Sequence, residues 1–148
     1  MTTRNPKDTP GRRLLGGAWA FWRSAQLLYE FDPQALAWAT MFVHMNLAIE
    51  LALKGFLREK GYSEKQQVDL GHNLAKAFAC ARQEGFQPSH QAQEALILEL
   101  NPHHQDMSLR YLQGTSVNLP VVRDALAIVL SLVRDLHTQA KIPVPDNP

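Results

Sequence analysis

The chain has 148 residues, of which 45% are hydrophobic and 20% charged, and its formal net charge is +1. This length and composition predict one soluble globular domain with a single core. The near-zero charge excludes a global field that would recruit nucleic acid. Cys80 is the only cysteine, which excludes an intramolecular disulfide and favours a reducing cytoplasm.

The N-terminal part predicts an arm followed by a helix. Residues 1–11 hold two prolines and mostly polar neighbours, so we expect a flexible arm. Arg12 and Arg13 precede an apolar run, as in an export signal, but apolar residues continue on one face past Arg23. That periodicity favours an amphipathic first helix over residues 13–31.

The second predicted helix is the most apolar. Asp32 and Pro33 are typical of a helix start, and Gly61 is typical of a helix end. Residues 35–53 are long and apolar enough to suggest a membrane span. Polar residues, Glu50 among them, interrupt the run, so we expect the central helix of a soluble bundle and no membrane.

The middle of the chain predicts two further helices. Residues 62–68 are polar and predict a loop, and residues 69–85 carry an apolar stripe and predict the third helix. The fourth helix is expected to begin at Pro88. Asn101 and Pro102 should break or kink it, because proline removes a backbone donor.

The C-terminal part predicts a short continuation at 107–112, a turn at 113–118 and a fifth helix from Pro120. One face of that helix repeats in steps of four and three, at Val122, Leu126, Val129, Val133 and Leu136. Residues 141–148 predict a disordered tail. With no strand pattern and short connections, we expect residues 12–140 to form an all-α antiparallel bundle of four to five helices.

Polar residues on the second helix recur every four positions, at Asn46, Glu50, Lys54 and Arg58. They either line a cleft or dimer groove, or form a solvated face on which Glu50 pairs with Lys54. Their apolar neighbours make the first interpretation worth testing, because an unpaired buried charge is costly.

Three residues outside that helix are further candidates. His72 is either an acid–base group or a packing residue at the start of the third helix. Arg110 is able to bind a phosphate and Tyr111 to stack on a base, or Arg110 holds Glu50 from a neighbouring helix. We expect Asn46, Glu50, Lys54, His72, Arg110 and Tyr111 to approach one another as a polar cluster.

Other chemistry-bearing residues give weaker patterns. His103, His104 and Asp106 lie close in sequence, but adjacent histidines on a helix point about 100° apart, so we predict no metal site and no cofactor. The aromatic residues of the first two helices either pack in the core or form an exposed dimerisation patch: Trp19, Phe21, Trp22 and Trp38.

Four short motifs occur in order: Ile-Glu-Leu-Ala-Leu-Lys at 49–54, Arg-Glu-Lys-Gly at 58–61, Gly-His-Asn-Leu at 71–74 and Leu-Arg-Tyr at 109–111. Over about residues 45–137 the chain resembles the HEPN superfamily, in its bacterial branch with Glu-x-x-Leu-Lys, Gly-His-x-Leu and Arg-Tyr motifs. The resemblance implies a helical bundle, a dimeric habit and a link to RNA processing, toxin–antitoxin pairs or phage defence.

Many catalytic HEPN proteins are metal-independent ribonucleases, marked by an Arg and a His four to six residues apart. No Arg in this chain is followed by a His at that separation. We therefore expect no catalytic residues and a noncatalytic binding or regulatory module in a bacterial defence or toxin–antitoxin setting. The expected partners are a second copy of the chain and, as the resemblance implies, a nucleotidyltransferase or RNA. The alternatives are a ribonuclease with a rearranged Arg/His site and a structural oligomerisation domain.

Overall fold

A computed structural model describes residues 8–106, 108–111 and 119–145, with the side chains of residues 110 and 111 outside the description. These residues form an all-α bundle with no strand among them. The helices are α1 (Pro10–Phe31), α2 (Trp38–Glu59), α3 (Glu64–Asp69), α4 (Leu74–Gln83), α5 (Gln91–Gln105), α6 (Ser108–Tyr111) and α7 (Val122–Gln139).

Helix α1 begins at Pro10, three residues before the predicted start. The Thr9 side chain accepts a hydrogen bond from the Arg12 amide and caps the helix, with Pro10 in the first turn. Thr9 also donates to the carboxylate of Glu59 at the end of α2. Gly11 is buried, so the end of the predicted arm belongs to the packed bundle. Residues 1–7 of that arm lie outside the described residues.

Helix α2 begins at Trp38, not at Asp32 and Pro33 as the sequence predicts. Asp32 instead ends α1, and its carboxylate accepts a hydrogen bond from the Ala37 amide at 2.9 Å. Ala35 between them has a φ of 55°, a left-handed conformation that no helix continues through. The Asp-Pro pair therefore forms a connecting turn between two antiparallel helices.

Helix α2 is the central element and contacts every other helix. It is the one helix of the described part that is long and apolar enough to cross a membrane, and 72% of its apolar window is buried inside the bundle. The pattern is that of a core helix, as the sequence analysis expected. Helices α1 and α7 cover one side of it, and α4, α5 and α6 cover the other.

The predicted loop at residues 62–68 contains a short helix. Ser63 caps α3 by accepting from the Gln66 amide, and the Gln66 side chain accepts from the Ser63 amide. The third predicted helix, residues 69–85, is therefore shorter: α3 ends at Asp69, a turn follows, and α4 starts at Leu74. The predicted apolar stripe of that region is buried, at Leu70, Leu74, Ala77, Phe78 and Ala81.

Helix α5 begins at Gln91 and continues through Pro102 to Gln105, so of the predicted break or kink at Asn101 and Pro102 the break does not occur. The missing proline amide costs one hydrogen bond, and the helix ends within four residues of it. Met107 and the predicted turn at 113–118 lie outside the described residues.

Helix α7 buries the whole predicted stripe, from Val122 to Leu136. The tail after it begins in contact with the bundle. The amide of Ile142 donates to the carbonyl of His137 at 2.9 Å, and the side chain of Ile142 is buried. Ile142 belongs to the predicted disordered tail, residues 141–148, but it packs against the bundle. Residues 146–148 lie outside the described part.

Candidate functional site

The carboxylate of Glu50 is the centre of a polar group on the buried side of α2. Its Oε2 atom lies 3.5 Å from the ammonium of Lys54, one helical turn later. Both side chains are less than 10% exposed. The pair is therefore a buried ion pair and not the solvated surface pair that the sequence left open.

The turn between α3 and α4 supplies the second part of this group. Gly71 has a φ of 55°, and its carbonyl accepts a hydrogen bond from Lys54 Nζ at 2.7 Å. The next residue, His72, places Nδ1 2.7 Å from Glu50 Oε1. Glu50 and Lys54 thus bind adjacent residues of one turn, and two motifs that are distant in sequence meet here.

His104, on the last turn of α5, is the member that the sequence analysis did not assign to the cluster. Its Nε2 atom lies 2.9 Å from the same Oε1 atom of Glu50, and the residue is buried. Its ring packs edge-on against His72, with centroids 5.4 Å apart. We call Glu50, Lys54, His72 and His104 the Glu50 cluster.

The residues next to His104 in the sequence did not indicate its contact with Glu50. His104 follows His103, whose Nδ1 lies 3.3 Å from Ser108 Oγ, so the two rings point to different partners as helix geometry requires. The partner of His104 is 54 residues away. The available signal was the spacing of Leu96, Leu100 and His104, which places His104 on the buried face of the fourth predicted helix.

The Glu50 carboxylate is ionised over most of the pH range. Burial raises its pKa, but hydrogen bonds from His104 and His72 and the charge of Lys54 lower it, and the balance brings the pKa from 4.5 to about 2. An ionised carboxylate only accepts hydrogen bonds, so both imidazoles donate to Oε1. Each ring consequently carries a proton on the nitrogen that faces Glu50.

Asn101 fixes the turn that carries His72. Its Oδ1 accepts hydrogen bonds from the backbone amides of Leu74 at 2.7 Å and Ala75 at 3.3 Å. Those amides are in the first turn of α4, where the backbone offers them no partner, and Asn73 also caps this turn by accepting from the Lys76 amide. The residue that predicted a helix break therefore caps a second helix and holds α4 against α5.

The other predicted members of the polar cluster have different outcomes. Asn46 is buried and its Oδ1 has no hydrogen-bond partner; the side-chain partners of Glu50 are His72, His104 and Lys54 instead. Arg58 donates to Gln67 Oε1 on α3 at 2.8 Å, away from the cluster. The side chains of Arg110 and Tyr111, both in α6, lie outside the described residues, so their predicted place in the cluster stays a prediction.

Chemically, the cluster presents one group to solvent. The side chain of His72 is 41% exposed, whereas those of Glu50 and His104 are below 10%. The arrangement joins α2, the α3–α4 turn and α5 through one carboxylate. It is able to stabilise the bundle, to hold His72 in one tautomer, or to supply two imidazoles and a carboxylate to a cation.

A second feature is a set of exposed apolar side chains between residues 27 and 38, at the end of α1, in the connecting turn and at the start of α2. Four of the seven large hydrophobic side chains exposed in the described part are Leu27, Phe31, Leu36 and Trp38; we call these four the α1 patch. Phe31 is 91% exposed and Leu36 is 81% exposed. Beside Phe31 is an open groove of about 600 Å³ lined by Trp19, Ala20, Arg23, Ser24, Leu27, Leu28 and Phe31.

The aromatic residues of the first two helices divide between the two interpretations. Trp22 is buried, and its indole donates to the carbonyl of Leu126 on α7 at 2.9 Å. Trp19 packs against Trp22 and His137, and it also lines the groove. Trp38 is 36% exposed. The core interpretation therefore holds for Trp22, and the surface interpretation fits Trp38.

Comparison with known proteins finds no match for this chain: no family model, no curated protein and no solved structure. The resemblance to the HEPN superfamily therefore rests on the motifs in the sequence.

Proposed function

We propose that this protein is a noncatalytic HEPN-like binding or regulatory module of the cytoplasm that acts as a homodimer through the α1 patch. The proposal rests on one contrast. The Glu50 cluster is mostly buried and internally paired, whereas the α1 patch is open to solvent. Glu50 has hydrogen-bonding or charged partners at both oxygens, whereas Phe31 and Leu36 are almost fully exposed.

The α1 patch has the features that a two-fold interface requires. In such an interface the same surface of both subunits must supply projections and recesses, because each contact occurs twice. Phe31 projects into solvent next to the groove, which is apolar along Trp19, Leu27 and Leu28. Aromatic side chains that fill pockets supply most of the binding energy in such interfaces. A second copy of the chain is therefore the occupant that we propose.

The bacterial defence or toxin–antitoxin setting rests on the HEPN-like motifs alone. Two of those motifs meet in the fold, since Glu50 and Lys54 contact His72 and Gly71. Such residues are then part of the packing between helices, which agrees with a module that has no reaction of its own.

Sedimentation equilibrium tests the dimer. We expect the parent to dimerise at micromolar concentration and Phe31→Asp to weaken dimerisation by at least about tenfold, because a charge would be buried at the interface. At a concentration at which the parent is monomeric, its melting temperature should equal that of the parent, since Phe31 is 91% exposed in one chain.

Val68→Asp is the matched control, because Val68 is also apolar and 65% exposed but lies on α3. It should dimerise as the parent does. A parent that stays monomeric at high micromolar concentration, or a Phe31→Asp variant that dimerises as tightly as the parent, would contradict the homodimer. A monomeric parent would leave a different protein as the occupant of the patch.

A ribonuclease is the second candidate, and one contact favours it. The Glu50 carboxylate accepts a hydrogen bond from His72 Nδ1 at 2.7 Å, which leaves Nε2 of this half-exposed ring as the basic nitrogen. A carboxylate-oriented histidine is a common general base. A ribonuclease also needs a positioned cation that is free to meet the phosphate, and the cation of the Glu50 cluster, Lys54, is already bound by Glu50 Oε2 and the Gly71 carbonyl. This candidate is therefore the weaker of the two.

A further inference from the structure

We propose that the Glu50 cluster binds one divalent transition-metal ion, with Zn²⁺ as the best-fitting ion, through Glu50, His72 and His104. The three ligand atoms come from α2, the α3–α4 turn and α5, and all lie within 4.8 Å of one another. No other set of three such residues in residues 8–106, 108–111 and 119–145 meets that condition. The site goes beyond the proposed function, which requires no ion.

The donor set is one that Zn²⁺ uses. Two imidazole nitrogens and one carboxylate oxygen bind zinc at about 2.0–2.2 Å, with a fourth position left for water. Here both nitrogens converge on a single oxygen, Glu50 Oε1, at 2.7 Å and 2.9 Å. Tetrahedral zinc separates its ligands by about 3.3 Å. Each contact therefore needs to open by only about half an ångström, and the exposed edge of His72 leaves an open side for entry.

Lys54 is the positive charge that an incoming cation would meet. Its ammonium contacts Oε2, not the Oε1 atom that faces the histidines. It is also held on the Gly71 carbonyl at 2.7 Å. The ion and Lys54 would therefore bind opposite oxygens of the same carboxylate, with Lys54 orienting that ligand as outer groups do in metal sites.

Binding requires the protons on the two ligating nitrogens to leave those atoms. In the absence of the ion, His72 Nδ1 and His104 Nε2 each carry a proton, because both donate to Glu50. Metal ligation at those atoms displaces each proton, to the other ring nitrogen or to solvent. The ion then replaces two hydrogen bonds by three coordinate bonds and links three segments of the fold.

The test is metal binding by the full chain. We expect Zn²⁺ to bind with 1:1 stoichiometry in calorimetry, and Co²⁺ to give the visible absorption of a four-coordinate site. At a hundredfold excess of free Zn²⁺ over its dissociation constant, the melting temperature should rise by roughly 5–10 °C. Co²⁺ absorption reports ligand geometry, so it separates this site from loose surface binding.

His72→Ala is the informative variant, because His72 is the most exposed of the three ligands and its removal leaves the Glu50–Lys54 pair in place. It should weaken Zn²⁺ binding by at least about 100-fold and abolish the Co²⁺ absorption. The control is His90→Ala, since His90 is exposed and makes no side-chain capping bond; it should bind as the parent does. A parent that binds no Zn²⁺ stoichiometrically, or a His72→Ala variant that binds as the parent does, would overturn the site.

Discussion

Glu50→Gln is expected to lower the free energy of unfolding by about 3–5 kcal/mol, the cost of breaking a buried charge pair. The substitution keeps the shape of the side chain but removes the charge that faces Lys54 at 3.5 Å. It also replaces one acceptor oxygen by an amide that is itself a donor, while His72 and His104 both donate to Oε1. The melting temperature should fall by about 10 °C.

Urea unfolding followed by circular dichroism measures this change. Glu99→Gln is the matched control, since Glu99 is exposed on α5, and we expect it to stay within about 0.5 kcal/mol of the parent. The double variant Glu50→Gln with Lys54→Met should lose less than the two single losses added together, because it leaves no unpaired charge. A Glu50→Gln variant as stable as the parent would show that the cluster does not hold the helices together.

Gly55→Ala should destabilise the protein by about 2 kcal/mol or more, although alanine favours a helix over glycine by about 1 kcal/mol. A Cβ atom at Gly55 would lie 2.8 Å from Leu15 Cγ and 2.9 Å from the carbonyl oxygen of Gly11. The second of these is backbone, which cannot rotate away. The helices α1 and α2 would have to separate along their whole contact.

Gly16→Ala gives the opposite expectation from the same change. Gly16 is also in a helix, and nothing lies within 4 Å of where its Cβ would be. We expect this variant to gain up to about 1 kcal/mol from helix propensity and from the reduced freedom of the unfolded chain. Equal effects of the two substitutions in urea unfolding would mean that α1 and α2 do not approach as closely as described.

The periodic parts of the fold were predictable from the sequence. The α7 stripe repeats every three to four residues and is entirely buried, because only one face of that helix meets the core. The central helix was predictable for a different reason: its long apolar run matches a helix that is covered on both sides, and 13 of its residues are buried, Ile49, Leu53 and Phe56 among them. Burial follows periodicity where one helix face alone is covered, as in α7.

The helix ends were less predictable, because tertiary contacts decide them. Asn101 and Pro102 predicted a break or a kink, yet α5 continues past them to Gln105, and the Asn101 side chain caps the start of α4. Gly11 belonged to a predicted arm, yet its lack of a side chain is what allows α1 to approach Gly55. In both cases the deciding partner lies at least 26 residues away in sequence, where no local pattern reports it.

Only part of the candidate site was predictable from the sequence. Glu50 and Lys54 are one turn apart on one helix and His72 follows in a motif, so their approach could be inferred. The pairing of Glu50 with His104 joins residues 54 apart, and it depends on how α5 packs against α2. The sequence analysis grouped His104 with His103 and Asp106, which are close to it in sequence. Adjacent side chains on a helix point in different directions, so that grouping did not indicate the contact with Glu50.

The most direct test of whether the protein is catalytic is to incubate single-stranded and structured RNA with the purified protein in EDTA and to look for cleavage. The proposed function predicts that both RNAs stay intact, and that parent and His72→Ala give the same result, because His72 serves the packing of the cluster. Cleavage by the parent that persists in His90→Ala and disappears in His72→Ala would contradict the noncatalytic account. It would identify His72, oriented by Glu50, as the general base of a metal-independent ribonuclease.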